Sequence, residues 1–541
     1  MHYIRLLRAP KLTFEKGRKH PWSLNVVLTV TTDLGDSFLN PDDHEPVKLK
    51  VSAGWEQLSK GAKGDSMFMA AEKVLSWTPG MRVLKADIPA QYLTTSSLPN
   101  SGLGPLRVHI RASGIQSAEK AIDVVFAGFQ GDCGKIVPVW ADVQTPDHSE
   151  APTTCVRRLA HGDRDSEPFI EIEEDIGESI ARHIWDAGMM AISRVWLVND
   201  RDAINAAKHP WHMKRLHGLL FGGEPLNILE LGCGVGILGN GLAQIMTREE
   251  PEGKSSILMT DLPEAEQRAR ANIARLAAAG TASIRPEYED LDWDDGRKGE
   301  LGPLVSARAW DLIVMSDCTY NVDVLPSLIN TWTAVHVHNI SRSGPRSSPV
   351  RTYVYVAWKK RHPDENEFWD LVDDAGWVLR EEDAVDLPVL GGETEKIFSY
   401  LFETRSQRYE RVAATATWKC LDRAGAKPRS SGTSKDGPDG VFNASETRAL
   451  GMPEFVTGLD TAILAVVMKV QQQACPGSKS SSRPPRLRPL ATLLASIEHA
   501  YLQLIDTFGN PENRKKKNMQ HQAFTGRLRP EYSILALTGI I

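Results

Sequence analysis

Seven residues, Glu230-Leu231-Gly232-Cys233-Gly234-Val235-Gly236, set a carboxylate before three alternate glycines. They follow the apolar run Asn227-Ile228-Leu229 and lead into a helical run over 237–246. An acidic strand end, a glycine turn and then a helix let backbone approach a ligand where a Cβ would clash. An adenosyl cofactor fits such a turn. Gly234 to Gly239 also reads G-x-G-x-x-G, so a dinucleotide must be weighed. Glu230 speaks against a pyrophosphate, because a carboxylate repels phosphates but can hold an ammonium.

Three further places carry candidate groups. Asp261 closes the run Ser256-Ile257-Leu258-Met259-Thr260, where a carboxylate can accept from both ribose hydroxyls. A helix cap before Pro263 is the plainer reading, and the two are compatible. Trp293, in Asp290-Leu291-Asp292-Trp293, can stack on adenine or simply pack in the core. Asp311 to Ser316 runs into Asp317-Cys318-Thr319-Tyr320. Strand C-terminal ends line the ligand crevice of an open α/β sheet, so Asp317 and Tyr320 lie where a reacting group would sit. A carboxylate and a phenol there suit a nitrogen nucleophile. Taken alone, a capping Asp and a core Tyr explain them equally well.

The elements that must position these groups follow from periodicity. Strands are expected at 227–231, 256–260, 282–286, 311–316, 352–357, 377–381 and 396–402, with helices near 237–246, 263–279, 322–335 and 364–375. Seven strands alternating with helices predict a doubly wound, Rossmann-like α/β sheet over 170–404. Apolar residues from Ile176 to Trp196 recur at helical spacing, which predicts a lead-in helix over 175–196. Its Trp185 could cover a cofactor; a plain amphipathic helix explains the pattern too. Residues 1–145 read as a β-rich domain, a sandwich or small barrel, with strands around 24–31, 47–51, 106–110 and 121–125. Residues 146–169, polar and rich in Pro, Asp and Arg, read as a linker. Residues 405–541 read as an extension, partly disordered around 428–440, with helices over 459–470 and 490–508.

Composition bounds the function. The chain has 541 residues and a net charge of −6, so no overall basic field draws it to nucleic acid or membrane. No run reaches 18 apolar residues, and no signal-peptide core opens the sequence. The six cysteines, Cys133, Cys155, Cys233, Cys318, Cys420 and Cys475, form no C-x-x-C pair, so no metal is expected. Free thiols fit a reducing compartment, the cytosol by default. Arg514-Lys515-Lys516-Lys517 adds a nuclear reading beside the plainer one of a solvated charge run.

Together these residues resemble the seven-β-strand S-adenosyl-L-methionine-dependent methyltransferases, and within them the methyltransferase-like protein-lysine methyltransferases. The resemblance covers about 170–403 and rests on Trp185-Asp186-Ala187, Glu230 to Gly236, Asp261, Leu291-Asp292-Trp293 and Asp317-x-x-Tyr320. Val354 to Trp358 with Lys359-Lys360-Arg361 is similar to the fifth strand and its basic exit. The resemblance implies that Trp185, Glu230, Gly232, Cys233, Gly234, Gly236, Asp261, Trp293 and Ser316 bind the cofactor. It implies that Asp317 and Tyr320 face the incoming lysine of a protein substrate. The charged loop 247–255, the β-rich domain and the extension depart from the minimal pattern, which leaves the substrate open. A small-molecule N-methyltransferase, a nicotinamide-dependent oxidoreductase and a non-catalytic binding protein stay as alternatives.

Overall fold

The computed structural model describes residues 1–42, 45–57, 67–92, 103–126, 135–161, 169–177, 182–198, 212–246, 255–280, 282, 284–342, 351–387, 389–390 and 392–404. The extension 405–541 with its expected helices and basic cluster, the loop 247–254, and Cys133, Cys420 and Cys475 lie outside the described residues.

The N-terminal part is a β-sandwich. One sheet pairs β3 (Trp22–Thr32) with β1 (His2–Leu6), β2 (Lys11–Phe14) and β6 (Leu84–Ala90), and β1 with β8 (Ile136–Val137). The second runs β11 (Phe169–Asp175), β10 (Thr154–Ala160), β9 (Val139–Asp142), β7 (Leu103–Ala112), β4 (Val47–Gln57) and β5 (Met67–Trp77). Alternate residues of both sheets, such as Ile4, Leu24, Val26 and Leu28 against Leu49, Val51, Val108 and Ile110, share one buried core.

Two expectations are corrected here. The 146–169 linker contains β10, and β11 follows directly at 169–175. Charge misled the reading: Arg157 is buried in β10, with its Nε 2.8 Å from the equally buried Glu174 of β11. The apolar run 121–125, expected as a strand, is helix α1 (Ala121–Phe126). Short apolar runs do not reveal their own period.

The second part is built on a seven-stranded sheet ordered β14 (Glu287–Asp290), β13 (Ser256–Asp261), β12 (Asn227–Leu231), β15 (Leu312–Ser316), β16 (Tyr353–Lys359), β18 (Glu395–Thr404), β17 (Trp377–Leu387). β18 is antiparallel to both neighbours, and the pairs among the first five strands are parallel. A dinucleotide-binding Rossmann sheet runs 3-2-1-4-5-6; inserting an antiparallel last strand before the sixth departs from it. The third strand starts at 287 rather than 282, after Pro286, which has no N–H to give a ladder.

Both faces of this sheet are covered. Ile228, Ile257, Met259, Leu312 and Val314 pack under α2 (Asp186–Leu197), α3 (Lys214–Phe221), α4 (Ile237–Met246) and α5 (Pro263–Ala279). Leu229, Leu231, Leu258, Ile313 and Met315 face the other way, onto α8 (Leu325–Arg342) and α9 (Glu367–Asp374). The short helices α6 (Trp293–Gly296) and α7 (Pro303–Ser306) sit between β14 and β15 in the chain. This period-two split is why these strands read as continuous apolar runs.

The expected lead-in helix is shorter than its pattern. Among the described residues the α-helix spans 186–197; Gly177 has φ 129°, and β11 occupies the residues before it. Every residue of α2 is buried, so it is an interior helix and not a surface amphipath. Tyr3, Val137, Leu159, Ile170 and Ile172 of the sandwich join the same apolar cluster as α2 and α4, so sandwich and α/β sheet share a core.

Trp332 of α8 is fully buried against Phe368 and Trp377, with ring centroids 6.0 and 5.9 Å away. Trp332→Ala should cost about 3–5 kcal/mol, read from the denaturant midpoint. Trp332→Phe should cost less, because the indole N–H has no acceptor among the described residues.

Candidate active site

The glycine turn after β12 is tight for a reason visible in its dihedrals. Gly232, Gly234 and Gly236 have φ of 67, 53 and 81°, so each alternate residue lies in the left-handed region. A Cβ on Gly232 would stand 2.6 Å from Cys318 Sγ and 3.0 Å from the Trp293 ring. Gly232, Cys233, Cys318 and Trp293 are thereby gathered at the ends of β12, β14 and β15. The Gly234 N–H donates to Asp261 Oδ2 at 2.7 Å, and the Leu262 N–H donates to Oδ1 at 2.7 Å. Asp261 thus stands over the turn from the end of β13, where a ribose would meet it.

Glu230 is placed differently from its sequence role. Its Oε2 accepts from the Gly239 N–H at 3.0 Å, in the first turn of α4, and the residue is fully buried. Burial pushes its carboxyl well above the ordinary range, and Asp261 adds to the effect. Turned into α4 and buried, this carboxyl closes the turn.

Asp317, just past β15, is the described non-glycine residue with positive φ, 55°. Aspartate tolerates that region better than most residues, and such strain is kept where surrounding structure over-determines it. Both oxygens are engaged. Oδ2 accepts from the Ala187 and Gly188 N–H groups at 2.9 and 3.1 Å, capping the start of α2. Oδ1 accepts from Arg361 Nη2 at 2.6 Å. Burial pushes its carboxyl up to about 7; the Arg361 guanidinium pulls down, while Asp33 and Asp186 push up. Asp317 therefore anchors α2 and Arg361.

The open groups lie beside it. Tyr320 is 48% exposed, and its ring lies parallel to the half-buried Trp185, 8° between planes and 6.2 Å between centroids. The Arg361 guanidinium sits over the other aromatic partner, 4.9 Å from the Trp185 ring centre. Gly188 of α2 lies so close to Ser316 that a Cβ there would be 3.0 Å from the Ser316 hydroxyl. The candidates from four separate stretches, Trp185, 230–236, Asp261 with Trp293, and 316–320, thus converge on one crevice at the C-terminal ends of the parallel strands.

Sequence reasoning missed the ion cluster behind it. Arg361 was visible only as part of a basic run after the fifth strand. Asp186 lay inside a quoted motif without a role; its Oδ2 is 2.8 Å from both the Lys359 ammonium and the Met1 amino group. The Tyr3 hydroxyl donates to Asp186 Oδ1 at 2.9 Å. Asp33, from the sandwich, gave no local signal.

Cys233 and Cys318 are buried free thiols whose pKa values burial pushes well above the usual range. Among the described residues no cluster of His, Cys, Asp or Glu could hold a metal ion, and no helix is long and apolar enough to cross a membrane.

Residues 164–375 match a family model described as lysine methyltransferase. The chain is also similar to a UPF0665 family protein of Schizosaccharomyces pombe, 26% identical over 384 residues, covering 70% of this chain and 94% of that protein. Among solved structures it is similar to a SAM-dependent methyltransferase of Methanosarcina mazei, at 16% identity, TM-score 0.23, 35% of this chain and 96% of that one. It is similar too to TYW2 of Pyrococcus horikoshii in complex with MeSAdo, at 12% identity, TM-score 0.27, 49% of this chain and 78% of that one. Over residues 164–375, the family match and the strand order point to an S-adenosyl-L-methionine-dependent methyltransferase domain.

Gly232→Ala adds a Cβ in a left-handed residue against Cys318 and Trp293. It should weaken S-adenosylhomocysteine binding about tenfold or more in calorimetry, through displacement of the Trp293 ring.

Proposed function

We propose that this protein transfers a methyl group from S-adenosyl-L-methionine to the side-chain nitrogen of a lysine in a protein substrate. The observation that carries the reading is the open Trp185–Tyr320 pair, backed by the buried carboxylate of Asp317, within the segment that matches the lysine methyltransferase model. Aromatic faces suit a long apolar stem ending in a cation.

The bound cofactor supplies an electrophilic methyl on a cationic sulfur. Gly232, Gly234 and Asp261 would hold its adenosyl part, with Trp293 packing on the base. Trp185 and Tyr320 would receive the lysine stem and fix the nitrogen in line, which supplies the orientation such a displacement needs. A lysine of pKa about 10.4 costs about 4 kcal/mol to neutralise at pH 7.4. Desolvation between the rings lowers that cost. Asp317, bonded to the start of α2 and to Arg361, would act by holding those groups in place, and the proton leaves to water. The scattered cysteines, which are free where described, suit the cytosol, and we place the protein there.

Two measurements check this. Calorimetry should show binding of S-adenosyl-L-methionine and none of NAD. The purified protein with methyl-labelled cofactor and cell lysate should label a protein band at lysine; label in a small-molecule fraction alone would remove the protein substrate. Tyr320→Ala should lower that labelling at least tenfold while S-adenosylhomocysteine affinity changes less than threefold.

A further inference from the structure

The family match starts at 164, yet one buried carboxylate of the crevice comes from far outside it. Asp33 follows β3 at the sandwich edge and is 4% exposed. Its Oδ1 accepts from Lys359 Nζ at 3.1 Å. Its Oδ2 accepts from Arg361 Nη2 at 2.9 Å and from the Asp186 N–H at 3.2 Å. The same Arg361 Nη2 donates to Asp317, and the same guanidinium lies over Trp185. Asp33 thus grips, at once, the first residue of α2 and both cations that leave β16. Arg361 Nη1 stays buried with no acceptor among the described residues, an unpaired donor beside the reacting end of the crevice. A buried donor left so favours a ligand that brings an acceptor.

We propose that Asp33 is a positioning residue of the cofactor crevice: the β-sandwich, through Asp33, fixes Arg361, Asp317 and the Trp185 end of α2 for the amino-acid part of the cofactor. The inference rests on the cofactor reading above. It divides the crevice in two. The adenosine side is held by Asp261, Trp293 and the glycine turn, and none of these has a contact to Asp33 among those described. The amino-acid side depends on a residue about 150 positions before the first helix of the site.

The test uses the full chain and two neutral probes by calorimetry. S-adenosylhomocysteine carries the amino-acid part; 5′-methylthioadenosine lacks it. Asp33→Asn should weaken S-adenosylhomocysteine at least tenfold and leave 5′-methylthioadenosine within twofold. Arg361→Gln, at a less enclosed site, should show the same selectivity. The double variant should be no weaker than the stronger single variant, because the two residues act through each other. Equal losses on both probes in Arg361→Gln, or unchanged S-adenosylhomocysteine affinity in a folded Asp33→Asn, would overturn the role of Asp33 and leave the cofactor reading standing. A parent protein that binds neither probe would overturn both.

Discussion

Everything at the crevice leans on a buried cluster of opposite charges: Asp317, Asp33 and Asp186 against Arg361 and Lys359, with the Met1 amino group on Asp186. Such a cluster is weak evidence for stability, since desolvating the ions cancels much of their attraction. Its value is geometric. Each carboxylate bridges two elements, so the cations can be satisfied only when β16, the start of α2, the end of β15 and the sandwich edge hold one arrangement. Loss of any member leaves a buried charge unpaired, which is the costly state. The strained backbone of Asp317 is kept in place by the same over-determination.

That constraint explains why an interior helix stands where the sequence suggests a surface one. α2 is enclosed by the sandwich on one side and the α/β sheet on the other, so its fold depends on both. Its first N–H groups would be orphaned in the core without Asp317 and Asp33 to accept them. Capping by residues 130 and 153 positions away ties the helix start to tertiary structure and not to its own sequence. The sandwich is therefore a part of the site's scaffold as well as a neighbour of it.

The legible parts of this protein are those whose cause is local. The helices at 237–246 and 263–279 were read to the residue, because one follows a glycine turn and the other starts at Pro263 and ends at Gly280 in the left-handed conformation. The glycine turn after β12 and the strand-end positions of Asp261 and Asp317 are readable from the sequence. β10 is not, since Arg157 and Arg158 are partnered by Glu174 and Glu171 on another strand. Glu230 reads as a crevice carboxylate from its strand position; its direction is set by the Gly239 N–H from which it accepts. Asp33 had no readable pattern at all, being a lone acid after a strand, meaningful only once Arg361 arrives beside it.

The chemistry that remains possible is narrowed by what the crevice holds. A covalent relay through the protein needs an activated nucleophile, and burial pushes the pKa values of the two thiols at the glycine turn well above the usual range. Asp317 accepts from the start of α2 and from Arg361, and Glu230 is turned into α4. The two thiols and these two carboxylates are thus not placed as free nucleophiles. On the proposed reading, the arrangement suits a single displacement in which the acceptor brings its own nucleophile, and the protein's share would be to align that acceptor along the Trp185–Tyr320 faces.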